Sequence, residues 1–174
     1  MNMQPRADVV DGFLGPPALA ELARALAGSP ERWAELVRHR SERRSYERLW
    51  RTDMVEAWVI CWSDDQDTGF HDHDTSAGAV AVARGALVEE RIAVGGPPRV
   101  RVIRCGETIA FDAAHVHRMR HAGVEPAVSI HVYSPPLGRM GVYSVEADGT
   151  LRRESVPHDE ELRADGERAF AAAA

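Results

Sequence analysis

Two pairs of histidines, each separated by one residue, are the part of this chain best suited to chemistry. His71 and His73 form the first pair, and His115 and His117 form the second. On a β-strand, side chains two residues apart point the same way, so each pair would present two imidazoles on one face. Neutral imidazole is the commonest protein ligand for iron, zinc, nickel and copper. The spacing therefore predicts a metal site made of His71, His73 and one histidine of the second pair.

A second polar cluster follows, in which Ser129, His131 and Tyr133 alternate with apolar residues. The same period of two places these three side chains on one face of a strand. The alternation alone therefore predicts one polar face on an otherwise apolar strand.

The elements that must position these side chains are predicted to be strands. Short apolar runs separated by glycine, proline and aspartate favour an all-β barrel or sandwich, which would extend over residues 46–156. The predicted strands cover residues 55–62, 77–83, 86–92, 99–103, 108–111, 128–133 and 140–145.

The main helical segment is predicted ahead of the barrel. Residues 16–44 carry leucines at helical spacing, and Gly28-Ser29-Pro30 predicts a division into two helices with Ser29 as the second N-cap. The charged tail from about Pro157 is predicted to be frayed or to form a short helix. We find no repeat or linker, so residues 1–174 are predicted to form a single domain.

Composition limits the classes of function. The net charge of −6 argues against a nucleic-acid partner, and all 21 basic residues are arginine, which excludes lysine Schiff-base chemistry. No apolar run suits a membrane span or a secretory signal, so a soluble cytoplasmic protein is expected. Cys61 and Cys105 are predicted to be buried free thiols.

The first histidine pair resembles the first of the two cupin motifs. In that motif HxH is followed, four or five residues later, by a glutamate ligand and then by a glycine. Here Ala77 and Gly78 stand at the glutamate position, and Gly85 closes the motif. The resemblance implies a cupin fold, a double-stranded β-helix or jelly-roll barrel, in which no carboxylate binds the metal.

The second histidine pair resembles the second cupin motif. Gly106, Asp112 and His117 keep its spacing, with Asp112 where a proline is usual. This frame selects His117 as the third metal ligand and leaves His115 beside the site or on the surface.

Three neutral ligands would leave the full +2 charge on the metal. An anionic ligand such as a substrate thiolate can then bind, and three open positions remain for a bidentate substrate and O₂. Zinc with three histidines and a water, as in lyases or hydrolases, is the competing assignment.

Within the cupins, residues 44–143 resemble the cysteine dioxygenase family. The segment Ser129-Ile130-His131-Val132-Tyr133-Ser134-Pro135-Pro136 is the most specific match. The family carries a hydrogen-bonded Ser-His-Tyr relay there, and in many members the following Ser-Pro bond is cis. Mammalian members crosslink the tyrosine to a cysteine. Gly78 stands at that position, so the resemblance implies that Tyr133 is unmodified.

The resemblance also implies how a substrate would be held. Tyr46-Glu47-Arg48 is similar to the segment that supplies the arginine for the substrate carboxylate, a role that suits its planar fork. Arg51 is an alternative, and Arg43 or Arg44 are less favoured. A bacterial subgroup that oxidises 3-mercaptopropionate has an arginine where Met140 stands here, although Arg139 lies next to it.

Taken together, the resemblance implies an Fe(II)-dependent dioxygenase that converts L-cysteine and O₂ to cysteine sulfinate. The metal ligands would be His71, His73 and His117. Tyr133, oriented by His131 and Ser129, would donate a hydrogen bond. The residues that contact the substrate would be Arg48, Tyr46 and Met140. Another thiol such as 3-mercaptopropionate, a non-catalytic cupin that binds a metal or a ligand, and a zinc hydrolase or lyase are the alternatives. A monomer or weak homo-oligomer is expected.

Overall fold

The described residues fold mainly into strands, and one α-helix lies between the second and the third of them. The computed structural model describes residues 9–10, 12–93, 96–146 and 150–158. In these residues, helix α1 spans Pro16–Ala27, and two 3₁₀ turns span Pro30–Arg32 and Ala34–Leu36. The strands are β1 Val9–Val10, β2 Phe13–Leu14, β3 Ser45–Arg51, β4 Glu56–Trp62, β5 His71–Asp72, β6 Ala77–Arg84, β7 Ala86–Arg91, β8 Arg99–Arg104, β9 Thr108–Phe111, β10 His117–Ala122, β11 Ala127–Ser134, β12 Arg139–Val145 and β13 Leu151–Pro157.

Two antiparallel sheets make the barrel. One has the order β13-β12-β5-β10-β7-β8, the other has the order β3-β4-β11-β6-β9, and β1 pairs with β2 beside them. Trp58 and Ile60 of the second sheet share one apolar core with Leu87 and Met119 of the first. The two sheets therefore pack face to face, and the prediction of an all-β jelly-roll barrel is confirmed.

Both faces of the central strands β4 and β11 are buried, for different reasons. In β4 the even-numbered Trp58, Ile60 and Trp62 face the barrel interior, whereas Val59 packs with Leu19 of α1 on the outside. In β11 the apolar Val128, Ile130 and Val132 likewise join the core beneath the helix. The period of two therefore leaves Ser129, His131 and Tyr133 on the interior side.

The prediction of two helices over residues 16–44 is wrong in its second half. The α-helix ends at Ala27, and Ser29 does not cap a second helix but donates from Oγ to the carbonyl of Ala25 at 2.9 Å. Trp33 folds back and donates from Nε1 to the carbonyl of Leu26 at 3.0 Å, so the apolar residues continue the packing of α1. Between 37 and 44 only Val37 is apolar, and this segment offers no face to bury.

The two cysteines differ in environment. Cys61 is buried beneath α1, as predicted, but the prediction is wrong for Cys105, which is exposed, and both are free thiols. The predicted tail after residue 158 lies outside the described residues. In the described part of the chain, no helix is both long and apolar enough to cross a membrane.

Candidate metal centre

The rings of His71, His73 and His117 converge inside the barrel. His71 lies on β5 opposite His117 on β10, where the two strands pair in antiparallel register, and His73 follows β5 directly. One nitrogen from each ring lies within 4.8 Å of the other two. All three side chains are buried, with relative exposures of 4%, 0% and 1%. The structure thus brings the three predicted ligands together.

Hydrogen bonds leave one nitrogen available on two of these rings. The Nδ1 of His71 lies 3.1 Å from the carbonyl oxygen of Gly69, and the Nδ1 of His117 lies 2.9 Å from Oε1 of Glu89. An acceptor at Nδ1 fixes the proton there, so the lone pair of each imidazole is on Nε2. The two Nε2 atoms are therefore the donors these rings would offer to a metal.

The third ring is a buried polar group without a protein partner. Neither ring nitrogen of His73 has a hydrogen-bond partner among the described residues, although the side chain is fully buried. Phe111 stacks against the ring at a centroid distance of 4.8 Å, and Tyr133 lies at 5.1 Å. An unpaired buried polar group costs free energy, and coordination of a cation at one nitrogen would remove part of that cost. His73 therefore fits a metal ligand.

Burial keeps the three histidines neutral. It is the main cause that holds the pKa of His71 and of His73 well below the usual histidine value. The positive charge that His117 would carry adds to the effect at both rings, and that of His71 adds to it at His73. Burial also lowers the pKa of His117, although the hydrogen bond to Glu89 opposes this effect. A neutral imidazole is the form that binds metals, so the site is ready for an ion at neutral pH.

Glu89 supports the site and was not predicted from the sequence. It is fully buried on β7, and its Oε1 accepts from His117 Nδ1 at 2.9 Å and lies 2.8 Å from His115 Nε2. Arg101 donates from Nε to the other oxygen at 2.6 Å. These partners hold the pKa of Glu89 well below its usual value against the effect of burial. His115 thus lies beside the candidate site and contacts Glu89, which also contacts the candidate ligand His117.

A second group of three potential ligand atoms comprises Glu89, His115 and His117. In this group the Nδ1 of His117 and both oxygens of Glu89 already have protein partners. The group around His73 has unpaired donors and is the better candidate for an ion.

The aspartate between the first two histidines anchors their strand. Asp72 points away from the ring cluster and accepts from Tyr143 Oη at 2.6 Å and from Arg153 at 2.6 and 2.8 Å. Gly141 donates from its backbone nitrogen at 3.1 Å. Because β5 has only two residues, these side-chain bonds tie the ligand segment to β12 and β13.

Ser129, His131 and Tyr133 form a continuous hydrogen-bonded chain. Ser129 Oγ lies 2.8 Å from His131 Nε2, and His131 Nδ1 lies 3.1 Å from Tyr133 Oη. Trp62 donates from Nε1 to Ser129 Oγ at 2.9 Å, which occupies one of the two acceptor positions of the serine oxygen. The His131 tautomer with its proton on Nδ1 would accept from Ser129 and donate to the tyrosine oxygen, and the Tyr133 hydroxyl proton would then point into the barrel.

The protonation states of this chain follow from its burial. Burial, together with the charges of His117 and Arg44, lowers the pKa of His131 to about 3, so the ring is neutral. Burial and the nearby Glu56 raise the pKa of Tyr133 above its usual value, so the phenol stays protonated.

Gly78 lies opposite Tyr133 on β6, and a Cβ there would come within 2.5 Å of Phe111 Cε2 and 2.9 Å of Tyr133 Cδ1. The two rings occupy the space that a side chain would need.

A pocket opens beside the ring cluster and the hydrogen-bonded chain. Its polar lining residues are Arg44, Thr68, His71, His131 and Tyr133. Its apolar lining residues are Trp58, Ile60, Trp62, Met119, Leu137 and Met140. The pocket therefore offers one cationic group and a mostly apolar wall next to the candidate metal ligands.

The predicted substrate residues lie at different depths. Met140 is buried in the pocket wall, whereas Arg139 is exposed and donates to the side chain and backbone of Ser155 at 2.8 and 2.7 Å. Tyr46 packs edge-on to Trp58 at a centroid distance of 6.1 Å. Arg48 is exposed, with its guanidinium carbon 5.5 Å from the Trp58 ring.

Arg44, the less favoured arginine in the sequence, lines the pocket and is only 6% exposed. Arg51 is directed to Glu56, at 3.3 Å. The Ser134–Pro135 bond is cis, as the family resemblance implies.

The barrel and its three inward histidines define a cupin with a candidate metal centre. A family model described as Cysteine dioxygenase type I matches residues 17–146. The chain therefore belongs to the cysteine dioxygenase type I family.

Curated relatives agree with this assignment over part of their length. Cysteine dioxygenase type 1 of Danio rerio is 30% identical over 88 residues, which cover 45% of this chain and 44% of the relative. The Homo sapiens protein of the same name is 29% identical over 87 residues, with the same coverage. The chain thus spans about 44% of the length of the curated relatives it matches.

Solved structures share the fold at lower identity. A Klebsiella pneumoniae protein with a double-stranded β-helix domain gives a TM-score of 0.55 at 19% identity, covering 63% of this chain and 86% of that one. A cupin superfamily protein of Desulfitobacterium hafniense gives 0.50 at 13% identity, covering 59% and 87%. These similarities support the cupin barrel.

Proposed function

We propose that this protein is an Fe(II)-dependent thiol dioxygenase that oxidises a small thiol acid, with L-cysteine as the first candidate, to its sulfinate. The observation that carries the proposal is the convergence of three neutral, buried imidazoles beside the chain Ser129–His131–Tyr133. Membership of the cysteine dioxygenase type I family supports it. A site that only held a metal would not require the hydrogen-bonded chain.

His71, His73 and His117 would hold the iron, mainly through Nε2 of the first and the last. Bound iron would supply the positions at which a thiolate and O₂ meet, and its charge would favour the thiolate over the thiol. The overall reaction balances without an organic reductant, because both oxygen atoms go to sulfur and the thiol supplies all four electrons.

The protein's own contribution would be to hold a proton and a substrate in place. Tyr133 is protonated and oriented by His131, so it would donate one hydrogen bond toward the reacting groups. A donor held by a buried chain needs no rearrangement when negative charge develops, which is the source of its effect on the barrier. Trp58, Ile60 and Leu137 would keep water from the substrate.

The position of Met140 supports L-cysteine over 3-mercaptopropionate. The arginine that the 3-mercaptopropionate subgroup carries at this point is replaced by an apolar side chain in the pocket wall. Arg139 does not take its place, because it is exposed and bound to Ser155. The carboxylate would then depend on an arginine of β3 or of the segment that leads into it.

The test is to load the purified protein with Fe(II) without air, add L-cysteine and then O₂, and measure O₂ uptake and sulfinate. We expect stoichiometric sulfinate, and a Tyr133→Phe variant with unchanged iron content should turn over about 10- to 100-fold more slowly. Parallel assays use 3-mercaptopropionate and cysteamine. Iron binding without sulfinate from any thiol would contradict the proposal, as would turnover that needs zinc and no O₂.

A further inference from the structure

We infer that Arg44, rather than Arg48, binds the carboxylate of the substrate inside the pocket. This inference rests on the proposed function, since it concerns how the same site would recognise a thiol acid. It assigns the role to a residue four positions before the one that the family resemblance indicates.

The two arginines project over the same sheet face at different depths. Arg48 and Tyr46 pair with Trp58 and Ile60 of β4, whose side chains face the barrel interior. Arg44 precedes Tyr46 by two residues, and its guanidinium carbon lies 5.4 Å from the ring of Trp62. Trp58, Ile60 and Trp62 therefore lie in a row along the interior face of β4. Arg48 contacts the Trp58 end of this row, and Arg44 contacts the more deeply buried Trp62 end.

Arg44 lies on the side of the pocket that holds the reactive groups. The ring of Trp62 beneath it stacks with His131 at a centroid distance of 6.4 Å and donates to Ser129. The positive charge of Arg44 reaches His131, where it adds to the effect of burial in lowering the pKa. At Tyr133 the same charge opposes the rise in pKa that burial causes.

The pocket has the chemistry of a site for a small anion. Among its described lining residues Arg44 is the one arginine, and none is a carboxylate. A guanidinium presents paired N–H groups that match the two oxygens of a carboxylate, and the interaction is stronger where water is excluded. The apolar wall formed by Trp58, Leu137 and Met140 suits the short hydrocarbon between sulfur and carboxylate. The substrate class is therefore a thiol with one carboxylate a few atoms from the sulfur.

Arg48 is placed for a weaker role. It is exposed at the Trp58 end of the pocket, where solvent and salt screen its charge. A substrate carboxylate bound to Arg48 would remain largely exposed to water, so the ion pair would stabilise the complex only weakly.

The experiment compares Arg44→Gln, Arg48→Gln and Arg84→Gln in the iron-loaded full chain. Arg84 is the control, because its guanidinium also lies over a tryptophan, 5.1 Å from the ring of Trp33, which belongs to the core beneath the helix and not to the pocket lining. For L-cysteine we expect Arg44→Gln to raise KM by about 10- to 100-fold, the range for loss of a charge-assisted hydrogen-bonded pair. The effect of Arg48→Gln should be at least several-fold smaller, and Arg84→Gln should match the wild type.

Cysteamine, which lacks the carboxylate, separates recognition from general damage. The preference of the wild type for L-cysteine over cysteamine should disappear in Arg44→Gln, because the loss should be far larger for L-cysteine than for cysteamine. If Arg44→Gln folds poorly, Arg44→Lys keeps the charge and removes the fork, and an intermediate KM at wild-type Tm is expected. A loss of preference in Arg48→Gln but not at Arg44 would overturn the inference.

An anaerobic titration of L-cysteine into the iron-loaded variants measures Kd without turnover. The expected order is a much weaker Kd for Arg44→Gln than for Arg48→Gln. If no thiol is oxidised by the wild type, the proposed function fails, but this titration still decides between the arginines. Equal Kd values for wild type and Arg44→Gln would overturn the inference alone.

Discussion

At the scale of single residues, Glu89 connects the candidate metal centre to the rest of β7. Its carboxylate accepts from the candidate ligand His117 and also from Arg101. A carboxylate behind a ligating imidazole fixes the tautomer and raises the basicity of the nitrogen that faces the metal. Glu89→Gln keeps the shape but removes the charge.

We therefore expect Glu89→Gln to weaken Fe(II) or Co(II) binding by about 10- to 100-fold, as for other outer carboxylates of metal-bound histidines. Equilibrium titration with the metal measures this. Glu90→Gln is the matched control, because Glu90 is the next residue of the same strand and binds Arg120 at 2.8 Å, away from the histidines. Equal losses in both variants would mean that the effect is one of general stability.

Some of these residues were predictable from the sequence and others were not. The histidine pairs and Ser129–His131–Tyr133 were predictable because a period of two on a strand fixes which side chains share a face. Glu89 was not, because its role depends on the register in which β7 pairs with β10. Arg44 was ranked low because an arginine beside Glu42 and Arg43 in a polar segment is usually exposed.

At the scale of elements, the short strand β5 depends on side chains for its position. It has two residues and is held between β10 and β12, and Asp72 adds bonds to Tyr143 and Arg153. Loss of the carboxylate charge would leave the Arg153 guanidinium without its main partner and loosen both flanking histidines.

Asp72→Asn should lower the free energy of unfolding by about 1.5–3 kcal/mol, the range for hydrogen bonds to a charged group. It should also weaken metal binding. Urea denaturation and metal titration measure the two effects. Asp74→Asn is the matched control, because Asp74 is exposed and accepts one bond from Arg153 at 3.2 Å. If Asp72→Asn were no worse than Asp74→Asn, β5 would not depend on this contact.

The elements themselves were predictable where apolar residues carry the pattern. Strand β9 was predicted with its bounds, and β4, β6, β7, β8, β11 and β12 within a residue at either end. Strand β10 was not predicted, since its buried positions include His117, Met119 and His121 between arginines. Strand β13 was missed because most of its side chains are exposed. The turn between β6 and β7 requires glycine at position 85, because φ is +67° there and a Cβ would come within 2.9 Å of Ala127.

At the scale of the whole molecule, the barrel buries neutral histidines that an unfolded chain would protonate. The pKa of His131 is about 3 when folded and near 6.5 when unfolded. Between these two values the unfolded chain binds more protons than the folded chain, so the free energy of unfolding falls as the pH falls. The contribution of His131 is complete above about pH 6.5 and is lost progressively toward pH 3.

Metal-free protein should show this dependence in urea denaturation between pH 6 and pH 4. One such group changes the free energy of unfolding by at most about 1.4 kcal/mol per pH unit. His131→Gln removes the titration but can keep a hydrogen bond to Ser129, so its curve should be less steep by up to that amount. His39→Gln is the control for the loss of a histidine at an exposed position, because His39 lies in the polar segment before β3 and is not buried. Identical slopes for wild type and His131→Gln would mean that His131 is not the neutral, water-excluded group that holds Tyr133 in place.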